Sequence, residues 1–142
     1  MDTSTNFARG IRLFNAQKFF QAHEVWEELW LAETGQEKTF LQGLIQLAAA
    51  FHHYSRGNQR GAKSLLARSL DKLARFPRSY RGLDLATLLS EADVWLRWLR
   101  GKPNGGPPRL PAISRSARRG RLSEDSAPIV ARKRGSKPRS AP

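Results

Sequence analysis

The chain has 142 residues and a formal net charge of +13, with 25 Lys and Arg against 12 Asp and Glu. It has no cysteine, which excludes disulfides, thiolate metal sites and cysteine nucleophiles. No run approaches the roughly 18 apolar residues of a membrane span. The opening MDTSTNFARG lacks a basic segment followed by an apolar one, so no secretory leader is expected and the compartment expected is the cytoplasm.

The charge is unevenly placed. Residues 1–100 hold 14 Lys/Arg against 10 Asp/Glu, or +4; residues 101–142 hold 11 against 2, or +9. Periodicity follows the same division. Phe7, Ile11 and Phe14 recur at helical spacing and predict a first helix over 5–16. Asn15 to Lys18 reads as a turn, and a second helix follows over 19–33, stopped by Thr34-Gly35. The third, over 36–56, is apolar on most of its surface: Phe40, Leu44, Leu47 and Phe51 form one stripe, widened by Leu41, Ile45 and Ala48. A helix of that kind belongs at the centre. Gly43, Ala49 and Ala50 are small enough to admit another backbone.

Gly57-Asn58 supplies a left-handed stop and then an N-cap. The fourth helix is expected over 59–76, until Pro77, with Arg60, Lys63, Arg68, Lys72 and Arg75 on its outer face. After a loop, Asp84 is the expected N-cap of a fifth helix that reaches Arg100. From Gly101 the chain is rich in Arg, Ser, Pro and Gly and poor in apolar residues, the composition of a disordered segment. No strand pattern of useful length is visible. The reading is an all-α antiparallel bundle of about five helices, built from helical hairpins, over 1–100, with a disordered basic tail over 101–142. The openings of helices two and four, FFQA and QRGA, hint that the first two hairpins are related units.

FNAQKFFQAHEVWEELW and LQGLIQLAAAFHHYSRGNQRGA together resemble the bacterial domain of unknown function 309 family, over roughly residues 7–76. The resemblance rests on Phe14-Asn15, Ala22-His23-Glu24, Glu27, Trp30, the Gln42 to Gln46 run, Ala48 to Ala50, His53, Gly57-Asn58 and Gly61-Ala62. It implies a small helical bundle and no settled activity. One departure stands out: Gln17 occupies a turn position where that family usually has glycine. A side chain in a left-handed turn costs about 1 kcal/mol, so a differently shaped turn is expected here.

The polar residues of helices two and three carry the candidate chemistry. With about 100° per residue, His23 falls inside the stripe of Phe19, Trp26 and Trp30, and Glu27 at its shoulder beside Phe20. Gln42, Gln46 and His53 form a narrow polar line on helix three, whereas His52 falls about 100° away from it. If the two faces meet, His23, Glu27 and His53 offer ligands to a divalent metal, with Glu24, Trp30, Gln42 and Gln46 around them. An open coordination position would then suit a metal-dependent hydrolase with Glu24 or Glu27 as general base. HEVWE is not the zinc-protease HExxH, because Glu27 stands where the second histidine would be. The same residues equally suit a small polar ligand or a buried hydrogen-bond network that fixes the packing. The tail supports another class, an interaction module whose basic arm contacts nucleic acid.

Overall fold

A computed structural model describes residues 3–101, 105–116 and 128–129. Five helices run in order: α1 (Thr3–Asn15), α2 (Phe19–Leu31), α3 (Gly35–Ser55), α4 (Gln59–Leu73) and α5 (Leu85–Arg100). Each packs chiefly on its sequence neighbour, so the chain folds back and forth with α3 in the middle. The five-helix reading therefore holds, with helix ends displaced by at most three residues. A feature that the sequence did not announce joins α4 to α5. Here β1 (Ser79–Tyr80) and β2 (Leu83–Asp84) pair antiparallel, with Ser79 opposite Asp84 and Tyr80 opposite Leu83. No helix among the described residues is long and apolar enough to cross a membrane.

Aromatic packing ties the layers together. Phe14 of α1 lies 5.1 Å from Phe19, 6.2 Å from Trp26 and 6.4 Å from Phe51, ring centre to ring centre. Phe51 meets Trp95 of α5 edge-on at 5.3 Å. Such pairs add about 0.5–1.5 kcal/mol each beyond the area they bury. Two glycines allow the helices to close up. The Trp26 indole donates to the Phe7 carbonyl at 3.3 Å and its ring covers Gly10. Between α3 and α4, the buried Ser69 hydroxyl donates to the Gly43 carbonyl at 2.7 Å, and Leu73 lies where a Gly43 side chain would go. The space expected to admit another backbone at Gly43 is taken by the Leu73 side chain.

The helix ends follow the local chemistry. Gly57 is left-handed (φ 84°), with Gly57 N–H to Tyr54 O and Asn58 N–H to His53 O closing a Schellman turn. Asn58 caps α4 through Gly61 N–H at 2.9 Å, and Asp84 caps α5 through Thr87 N–H at 3.1 Å. The turn at Gln17 is a correction. It is not shaped differently: Gln17 takes φ 66°, and Gln17 N–H to Phe14 O and Lys18 N–H to Leu13 O repeat the bond pattern at Gly57. Helix-end geometry therefore prevails over the cost of a side chain in the left-handed region. The shared turn also supports the kinship of the two hairpins.

The tail needs a second correction. Disorder expected from Gly101 onward does not extend to 105–116, which lie as a strap across the bundle. Pro111 and Ile113 are buried. The Trp95 indole donates to Arg109 O at 2.9 Å, and Ala112 N–H donates to Glu91 at 3.1 Å. Asp84 N–H to Ser114 O and Ser116 N–H to Gly82 O, both 2.8 Å, add the strap to the hairpin edge. Further on, Ile129 N–H donates to Phe76 O at 3.0 Å. The rest of the expected tail, residues 102–104, 117–127 and 130–142, lies outside the described residues.

Candidate functional site

The α2–α3 hairpin carries every residue singled out above. Contacts Phe19–Phe51, Phe20–His52 and Lys38–Trp30 fix its antiparallel register. His23 lies between Phe20 and Trp30 in sequence, so it faces the stretch of α3 between His52 and Lys38. That stretch contains Gln42 and Gln46. On α2, His23 Nε2 stands 4.0 Å from Glu27 Oε1, with the side chains 24% and 52% exposed. This is a loose ion-pair distance, too long for a hydrogen bond.

The second histidine near His23 is not the expected one. Phe20, 48% exposed, stacks on His23 at 5.7 Å and packs against His52 at 5.1 Å. Burial, followed by the charges of Arg56, His53 and His23, holds the His52 pKa below its ordinary value. His53 instead serves the helix end: its Nδ1 accepts from the Asn58 amide at 3.2 Å. Among the described residues, no three His, Asp or Glu side chains gather as an ion would need. The expected set His23, Glu27 and His53 is therefore not assembled. The cause is azimuthal: neighbours on a helix point about 100° apart, and the crossing of α2 on α3 selects His52. Phe20 and His52 were missed as site residues. The signal for Phe20 was its position beside Glu27 on α2; nothing in the sequence fixed the crossing that brings in His52.

Of the remaining residues, Glu24 is exposed, Gln42 and Gln46 are half-buried, and Trp30 is half-buried under the Lys38 ammonium, 4.1 Å from its ring. Three buried polar atoms on the hairpin have no hydrogen-bond partner in the protein: His23 Nδ1, Trp30 Nε1 and Gln46 Oε1. A fourth, Trp98 Nε1, is on α5, where the Trp98 ring meets Tyr54 of α3 at 6.2 Å. Leaving such a group unpaired costs about 1–3 kcal/mol. The hairpin thus offers a donor at Trp30, an acceptor at Gln46 and an imidazole nitrogen at His23, beside an exposed aromatic ring.

Residues 7–65 match the model of the domain of unknown function DUF309. The DUF309 match spans α1 to α3 and the first half of α4, and so every site residue named here; α5 and the strap lie beyond it. Two uncharacterised proteins are similar to the chain. One, from Aquifex aeolicus (strain VF5), is 32% identical over 99 residues, covering 68% of this chain and 28% of its own length. The other, YpuF of Bacillus subtilis (strain 168), is 39% identical over 74 residues, covering 50% of this chain and 42% of its own. The chain therefore spans less than half the length of either relative. The match to DUF309 includes the whole of this hairpin and brings no activity with its name.

Proposed function

We propose that the protein is a helical binding domain whose α2–α3 face takes a small polar ligand. The observation that carries this reading is the set of unpartnered buried atoms, His23 Nδ1, Trp30 Nε1 and Gln46 Oε1, on two facing helices. A molecule with both donor and acceptor groups would satisfy them, and Phe20 would cover a flat apolar part of it. A hydrolytic metal centre fits less well, because His23 and Glu27 lack a third histidine or carboxylate within reach among the described residues.

A thermal-shift screen of carboxylates, amides and nucleosides tests the reading, with each hit repeated on His23→Phe and Gln46→Leu. A compound that raises the melting temperature of the native protein and of neither variant supports it. Hits that survive both substitutions, or a screen without hits, would contradict it. Zinc, run alongside, distinguishes the metal reading: binding of zinc that His23→Phe abolishes would favour it.

A further inference from the structure

The strap over 105–116 and the groove beneath it have no part in the hairpin site. Three side chains of the bundle bond the strap's main chain. The Trp95 indole donates to Arg109 O, the Glu91 carboxylate accepts from Ala112 N–H, and the Asn15 amide bonds both backbone groups of Ile113. The edge of β2 adds more of the same kind. Leu83 pairs antiparallel with Arg115, flanked by Asp84 N–H to Ser114 O and Ser116 N–H to Gly82 O. Pro111 and Ile113 are buried in the groove, whereas Arg109, Ala112 and Ser114 are exposed. Main-chain bonds along a sheet edge, with pockets for alternate side chains, are how folded domains hold extended peptides. Pro107-Pro108 at the start of the strap pre-sets the extended form. Nothing in these bonds requires the bound segment to belong to the same chain.

A second observation separates the groove from its present occupant. Trp98 stands 5.5 Å from Trp95, ring centre to ring centre. Its Nε1 is buried and has no acceptor among the described residues. The strap thus satisfies one indole of the pair and leaves the other unpaired. A segment that offers a further acceptor beside Trp95 would bind better than the strap does.

We propose that this groove is a docking site for an extended segment of a partner protein with the spacing Leu-Pro-x-Ile, and that the strap fills it in the partner's absence. The strap is then a tethered competitor whose effective concentration is of millimolar order. A partner gains entry in proportion to the fraction of molecules with the strap open.

The test is fluorescence anisotropy of a labelled peptide, GPPRLPAISRS (residues 106–116), with the full chain. Expected is weak binding by the native chain and binding at least tenfold tighter by the Ile113→Ala chain, whose own strap is loosened. Adding Asn15→Ala to that chain should weaken binding about tenfold, and a peptide with serine in place of the isoleucine should not bind. A peptide array that keeps Leu-Pro-Ala-Ile and varies the preceding residues then seeks the partner's chemistry. Some sequences should exceed the strap peptide and lose that advantage on Trp98→Phe. Hydrogen exchange on the native chain needs no variant: the Ile113 and Ser116 amides should exchange by a local opening, faster than those of α3.

Exchange of these two amides only with global unfolding overturns the proposal, because the groove would never be free. So does absence of peptide binding by an Ile113→Ala chain that still melts cooperatively. An array in which the strap sequence binds best would leave the groove to the strap alone and overturns it too. A native chain that sediments as a dimer, and that the added peptide splits, would assign the groove to the strap of a second copy instead.

Discussion

Asn15 and Ile113, 98 positions apart, exchange two hydrogen bonds. The Asn15 side-chain amide donates to Ile113 O at 2.9 Å, and Ile113 N–H donates to Asn15 Oδ1 at 2.8 Å. The last residue of α1 thereby holds the strap in register while the Ile113 side chain enters the core, 4% exposed. Ile113→Ala should cost about 2–4 kcal/mol in urea unfolding. Ending the chain at Gly101 should cost more, because the Trp95 indole and Asn15 lose their partners too. A truncated chain as stable as the full one would mean that the strap does not contribute to the fold.

Gln17 holds a left-handed conformation with φ 66° that the Schellman turn imposes. Gln17→Gly should therefore stabilise the domain by about 0.5–1 kcal/mol, the relief of side-chain crowding less the entropy that glycine loses. Urea midpoints of the two proteins measure it directly. A loss of stability would mean that the side chain makes contacts that outweigh the strain.

At Gly43 the sign is reversed. A methyl group there would meet Leu73 Cδ2 at 2.6 Å, beside the Ser69 bond that ties α3 to α4. Gly43→Ala should destabilise by about 1–3 kcal/mol although alanine is the better helix former. Calorimetry of this variant checks the closest helix contact that the sequence made legible. Small residues on an otherwise large apolar face have few explanations other than a closely packed neighbour. The caps at Asn58 and Asp84 were legible for the same reason, because each depends on a few adjacent residues. The strap was not. GGPPRLPAIS contains little apolar area, and Ile113 finds burial only in a groove assembled from α1, the hairpin and α5. Non-local geometry also decided between His52 and His53.

His52 gives the domain a pH dependence. Its pKa is lowered in the fold, first by burial and then by Arg56, His53 and His23. The unfolded chain therefore binds the proton more readily, and stability falls as pH drops below about 6.5, the ordinary histidine value. The loss ends once pH lies below the lowered value. Urea midpoints followed from pH 7.5 towards 5 should decline, and His52→Gln should flatten the decline. An unchanged slope in the variant would assign the effect to other groups.

The central claim is that polar atoms of the α2–α3 hairpin are kept for a ligand at the expense of stability. Urea unfolding of Gln46→Leu, in the absence of any added compound, tests it most directly. Replacing an unpaired buried acceptor by an apolar group of similar size should raise stability by about 1 kcal/mol. A fall of similar size would show that Gln46 has a partner within the folded protein, and that the hairpin's polar residues serve its packing.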